Sequence, residues 1–231
     1  MPRVGAGVLN PDMGLYTIYD TLHQQYGPQH WWPAESPFEV MVGAVLTQNT
    51  SWANVEKAIA NLKSADSLSA EAIVQAAPER LAGWLRPSGY FNIKARRLHN
   101  FCAWYLAQGG LAALARLDTA DLRKGLLSVN GIGPETADDI LLYAFQRPVF
   151  VIDAYTRRLF TRLGLTGADK TYEELRAFFE HALTQQGEHK TRLFNQYHAL
   201  IVAHGKQACR PRPLCSGCCL ASLCPAKVSA G

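Results

Sequence analysis

The chain has no apolar run approaching the roughly 18 residues that a membrane helix requires. Its richest stretch, Val40 to Leu46, is short and interrupted by Gly43, so no membrane partner is expected. No charged segment followed by an apolar core opens the sequence. Nothing therefore points to an oxidising compartment, and the cysteines are expected as thiols rather than disulfides. There is no repeat of fixed period, which excludes a solenoid, and no low-complexity tract beyond the last residues, Val228 to Gly231, where fraying is expected. Strand-like segments are almost lacking. Only Val149 to Ile152 is a candidate, and a four-residue apolar run serves equally well as buried extended chain. Before Cys209 the only cysteine is Cys102.

What is present is a helical protein. With 48% hydrophobic and 18% charged residues, 231 residues can bury a substantial core as one large domain or two small lobes. Apolar spacing of three and four recurs in Leu15/Ile18/Tyr19/Leu22, Val55/Ile59/Leu62, Leu98/Phe101/Cys102/Tyr105, Leu122/Leu126/Leu127, Leu175/Phe178/Phe179/Leu183 and Tyr197/Leu200/Ile201. Breaks at Gly27-Pro28, Arg86-Pro87-Ser88-Gly89 and Gly109-Gly110 separate these patterns. Ser36-Pro37-Phe38-Glu39 predicts a helix running to about Thr47, with serine as N-cap, proline at the first helical position and glutamate three residues after the cap.

Chemistry concentrates near the C-terminal end. Cys209, Cys215, Cys218 and Cys224 follow C-x5-C-x2-C-x5-C, and thiolates gathered by one short loop suit a tetrahedral S4 site, which means structural zinc or an iron–sulfur cluster. Cys219 could replace Cys218 with a one-residue shift. A net charge of +4 and a pI near 8.7 are only weak signs of a polyanionic partner. More telling are Arg157, Arg158 and Arg162 along one helical pattern, and Lys206, Arg210 and Arg212 around the first cysteine, although solvated helix faces often look alike.

Between two helical patterns lies Val129-Asn130-Gly131-Ile132-Gly133-Pro134-Glu135-Thr136-Ala137. Its glycines allow a tight hairpin with close backbone approach, and the helix opening at Pro134 presents free N–H groups that suit a phosphate. The pattern equally describes a plain helix–turn–helix connection. Further on, Asp153 follows the apolar Val151-Ile152 and opens another helix, where an aspartate alone reads as an N-cap.

Together the hairpin, an aspartate at this spacing and the four-cysteine loop resemble the endonuclease III superfamily of DNA glycosylases. The resemblance runs from about Leu15 to Pro225 and includes Leu46-Thr47-Gln48-Asn49-Thr50 and Leu200-Ile201-Val202-Ala203-His204-Gly205. It implies an all-α, two-lobed fold: a six-helix barrel from His30 to Gln146 containing the hairpin, and a discontinuous lobe of residues 1–29 and 147–231 carrying the cysteine loop. Double-stranded DNA with a damaged base would lie in the cleft, its target nucleotide flipped out because the glycosidic bond is inaccessible inside a duplex.

The resemblance makes Asp153 the catalytic carboxylate. It implies DNA contacts from Gln48, Asn49, Gly131, Ile132, Gly133, Thr136, Arg157, Arg210 and Arg212. It also implies a [4Fe–4S] cluster on Cys209, Cys215, Cys218 and Cys224, although the family's usual first spacing is C-x6-C. Bifunctional members carry a lysine where this chain has Glu135, so a monofunctional enzyme is expected; Lys94 or another lysine could substitute, but no motif supports it.

Trp31-Trp32-Pro33, the segment ending at Trp52, and Glu135 are similar to a subgroup that removes 3-methyladenine. This implies a base pocket of Trp31, Trp32, Trp52 and Glu135, since aromatic faces and a carboxylate favour a cationic alkylated purine. The tryptophans read equally as core or interface residues. A lyase acting on oxidised pyrimidines and a non-catalytic DNA-binding module are the alternatives. A monomer in the cytoplasm, associated with the nucleoid in a bacterium, is expected.

Overall fold

The computed structural model describes residues 11–184 and 188–227; the expected fraying of Val228 to Gly231 lies outside them. Among the described residues there are twelve α-helices and no strand. In chain order these are α1 Pro11–Tyr26, α2 Pro37–Leu46, α3 Trp52–Ser64, α4 Ala70–Gln75, α5 Pro78–Leu85, α6 Phe91–Ala107, α7 Gly110–Leu114, α8 Thr119–Leu127, α9 Pro134–Asp139, α10 Ala154–Arg162, α11 Tyr172–Ala182 and α12 Glu188–Gln207. A π-turn, Ile140–Ala144, continues α9. Among the described residues no helix is long and apolar enough to cross a membrane. Val149 to Ile152 is buried chain without strand pairing.

The helices gather in two compact units, one from the described residues of Met1–Trp31 and Pro148–Gly231, the other Trp32–Arg147. The second unit is organised around α2, whose residues from Glu39 to Leu46 are all buried. It packs against α3, α6, α9 and the π-turn. Ser36 caps it as the sequence predicts, accepting from Glu39 N at 3.2 Å. The Glu39 carboxylate instead accepts from Glu35 N and pairs with Lys63 of α3 at 3.0 Å, so a buried charge at the helix start has a partner.

In the first unit α12 packs against α1 and α10. The core between them is aromatic: Phe150 stacks on Phe179 at 4.4 Å and 4°, Phe194 meets Phe150 edge-on, and Tyr197 donates to Leu15 O at 2.8 Å. Each such buried ring contributes about 1.5–3 kcal/mol of transfer free energy. One expected core position differs. Leu122 and Leu126 are fully buried, but Leu127 is 36% exposed because it sits on the last turn of α8, rotated off the buried face.

Candidate functional site

The hairpin between α8 and α9 closes with Ile132 N donating to Val129 O at 3.0 Å. Gly131 has φ +102°, and a Cβ there would lie 2.3 Å from Arg97 Cγ, so both backbone and space require glycine. Gln48, just past α2, braces the hairpin: its Nε2 donates to Gly131 O at 3.1 Å and Thr136 Oγ1 at 2.9 Å, while Oε1 accepts from Arg97 Nη1. Ile132 and Thr136 are buried, whereas Gly133, the extended N-cap residue of α9, has open space around it. Asn49 is exposed with φ 54°. Of the residues expected at DNA, the structure therefore joins Gln48, Gly131 and Thr136 to one another.

Asp138, assigned no separate role from the sequence, is fully buried and takes a two-pronged ion pair from Arg123 of α8 at 2.7 and 3.2 Å, tying the two hairpin helices together. Gln48→Ala leaves partly buried hairpin groups without these hydrogen bonds. It is expected to cost about 1–3 kcal/mol of stability and to speed amide exchange in the hairpin, which urea titration and hydrogen-exchange mass spectrometry would detect.

Trp32, Trp52 and Tyr143 form an aromatic cluster in the same unit. The Trp32 ring centroid lies 5.2 Å from each of the other two, edge-on to Trp52 at 89° and tilted to Tyr143 at 59°. The indole of Trp32 lies against Gly43 of α2, where a Cβ would stand only 3.1 Å from Nε1. Tyr143 escaped sequence reasoning because it stands on the π-turn, off the helical period. Trp31 belongs to the other unit, with Lys206 Nζ 6.0 Å from its ring. Glu135 is exposed on the first turn of α9.

Asp153 caps α10, its Oδ1 accepting from Thr156 N at 2.7 Å, and is only 8% exposed. Its Oδ2 lies 3.6 Å from Nε2 of His198, a buried residue of α12. Burial alone would raise the pKa of this carboxyl, but His198 and the Thr156 N–H outweigh it and hold the group below its ordinary value. The site thus keeps a buried carboxylate ionised, which suits stabilisation of a developing positive charge. His198 had no sequence signal, since only the packing of α10 on α12 brings it to Asp153.

Beyond Asp153, α10 grips the cysteine loop. Arg158 donates to Cys209 O at 2.8 Å and Gly205 O at 3.2 Å, and Arg162 donates to Arg210 O at 2.7 Å, Pro211 O at 2.9 Å and Cys209 Sγ at 3.3 Å. Arg157 donates to Lys170 O at 2.8 Å. The three arginines that read as a basic stripe are therefore engaged with backbone carbonyls, whereas Arg210 and Arg212 are exposed.

Cys209, Cys215, Cys218 and Cys224 line one small cavity, and Cys219 is not among its lining residues. No three metal-ligating side chains among the described residues converge tightly enough for a single ion. Four thiols lining one cavity are a donor set that suits a tetrahedral sulfur site, either a structural zinc or an iron–sulfur cluster.

Lys94 is 1% exposed and donates to Leu46 O at 2.9 Å and Ser88 O at 2.6 Å. Burial, with a smaller effect from Arg97, lowers its pKa to about 8. Its amine holds the end of α2 against the turn before α6.

The profile of the HhH-GPD superfamily of base excision DNA repair proteins matches residues 42–185. The chain is 46% identical over 216 residues to a protein of Methanocaldococcus jannaschii named as a DNA repair glycosylase, covering 92% of this chain and 96% of that one. Among solved structures it is similar to the Helicobacter pylori 3-methyladenine DNA glycosylase bound to 1,N6-ethenoadenine, with TM-score 0.72 and 31% identity over 86% of this chain and 98% of that one. A non-covalent endonuclease III–DNA complex superposes with TM-score 0.80 at 21% identity, covering 93% and 95%, a likeness of fold.

Proposed function

We propose a substrate and an outcome for a reaction whose class is established: the chain belongs to the HhH-GPD superfamily of base excision DNA repair proteins and is a DNA glycosylase. On our reading it is monofunctional, hydrolysing the glycosidic bond of an alkylated purine such as 3-methyladenine in double-stranded DNA and leaving the abasic site intact. The observation that carries this reading is the exposed carboxylate of Glu135 on the first turn of α9, at the position where strand cleavage requires an amine. Lys94, the other candidate amine, is buried and bonded to two carbonyls.

In this reading the two units are the two lobes of the fold and the protein acts as a monomer. Asp153, held ionised, stabilises the oxocarbenium-like sugar as the base departs and orients or deprotonates the attacking water. An N-alkylated purine is a cation and a good leaving group, so a pocket with aromatic faces and a carboxylate favours it without a strong general acid. Trp52, clustered with Trp32 and Tyr143, and Glu135 are assigned to that pocket. The modified adenine bound by the 31% identical Helicobacter pylori protein supports the substrate class. Gln48 and Asn49, the hairpin backbone at Gly131 to Gly133, Thr136, Arg157, Arg210 and Arg212 are assigned to the DNA side.

Cys209, Cys215, Cys218 and Cys224 would hold a [4Fe–4S] cluster, which when bound cross-links the loop as a structural group. Arg210 and Arg212 would thereby be fixed for phosphate contact.

Duplexes carrying single defined lesions, assayed with and without alkali, test the reading. Breaks at alkylated purines only after alkali are expected; breaks without alkali at oxidised pyrimidines would overturn it. Trp52→Ala should lower methylpurine excision by about 1–3 kcal/mol, roughly fivefold to 150-fold, while sparing affinity for undamaged duplex. Glu135→Gln should weaken preference for the cationic lesion more than activity on neutral ones. Unchanged excision in both variants would mark these side chains as structural.

A further inference from the structure

We infer that His204 is a positioning residue for the cysteine site: its Nε2–H donates to Cys218 Sγ while its Nδ1 accepts from the Tyr26 hydroxyl, so that Cys218 rather than Cys219 is the third ligand and the reduction potential of the cluster is raised. The inference rests on the [4Fe–4S] reading of the four cysteines.

His204 is fully buried on α12. Its Nδ1 lies 2.9 Å from the hydroxyl of Tyr26, the last residue of α1, and its Nε2 lies 3.6 Å from Cys218 Sγ. A neutral imidazole has one donor and one acceptor nitrogen. A ligating cysteine is a thiolate and can only accept, which places the proton on Nε2 and leaves Nδ1 to accept from the phenol. Tyr26 can donate at neutral pH because a phenol ordinarily titrates only near pH 10. Both imidazole nitrogens then have complementary partners. Cys219, by contrast, is absent from the cavity lining.

The chemical consequence is a change in charge on one ligand. An N–H donor draws negative charge from a thiolate, and it stabilises the reduced cluster, the more negative form, more than the oxidised one. The contact from Arg162 Nη1 to Cys209 Sγ acts in the same direction from α10. Arg162 also holds two loop carbonyls, so replacing it would loosen the loop itself. His204 and Tyr26 offer the cleaner test.

The full chain would be purified with its cluster as the parent, Tyr26→Phe, His204→Leu and His204→Gln. Iron and sulfide content, the one-electron midpoint potential by protein-film voltammetry and the resonance Raman Fe–S(Cys) stretches would be measured. The potential should fall in His204→Leu, fall by less in Tyr26→Phe, and return toward the parent in His204→Gln, which restores an N–H donor. Should His204→Leu fail to assemble, Tyr26→Phe decides the matter, since it keeps the imidazole and loses only a hydroxyl. A fully iron-loaded parent whose potential and Raman bands are unmoved by Tyr26→Phe and, where it assembles, His204→Leu would overturn the inference. A parent without iron would overturn the cluster reading and this inference with it, and iron content separates the two failures.

Discussion

Asp153→Asn is expected to slow base excision by about 10²–10³-fold, the effect of removing roughly 2.7–4 kcal/mol of electrostatic stabilisation from a charged transition state, while largely retaining affinity for lesion-containing duplex. The carboxylate matters most when positive charge develops on the sugar, and ground-state binding depends on contacts elsewhere. Asparagine is itself a good N-cap, so the hydrogen bond to Thr156 N that opens α10 can persist and the fold should change little. Single-turnover excision rates together with lesion-duplex titration check this, and equal rates for variant and parent would remove Asp153 from the mechanism.

The same residue sets an acid limb. Its folded-state pKa lies below its ordinary value, so the unfolded chain takes up the proton first. The stability it contributes is complete above the unfolded carboxylate value of about 4 and is lost as pH falls through the lower folded value. Asp153→Asn should flatten that part of the curve of urea midpoint against pH.

Cys215→Ala should abolish stable iron incorporation and weaken DNA binding. The parent should be brown and contain iron and sulfide. Without the cross-link, the loop from Cys209 to Cys215 keeps its hydrogen bonds from Arg158 and Arg162 but loses its anchor at Cys215, so the side chains of Arg210 and Arg212 would be held less firmly against phosphates. Losing both phosphate contacts would reduce the salt dependence of binding by about two counterions. Metal analysis and binding titrations at several salt concentrations read the result. A colourless parent holding about one zinc and no iron would show the cysteines to be a zinc site.

Much was legible in the chain because it depends on local physics. Helix periodicity, the Ser36 cap, the glycine breaks and the hairpin all follow from backbone sterics and nearest-neighbour hydrogen bonding, and the clustering of four cysteines within one short segment is itself a chemical signal. Where local physics allowed two answers, tertiary structure chose between them. Val149 to Ile152 is buried chain without strand pairing, and Leu127 faces outward because its place on the last turn of α8 leaves the buried stripe. Arg158 and Arg162, basic by sequence, became clamps because α10 lies beside the cysteine loop. His198 meets Asp153, Arg123 meets Asp138, and Tyr26 meets His204 across 45, 15 and 178 residues respectively. The sequence alone determined an all-helical chain, its hairpin and the clustering of its cysteines, since these follow from short-range sterics and composition. Only the tertiary structure decided how each buried charge and donor is satisfied, since side chains distant in sequence must be packed together before burial makes a partner necessary.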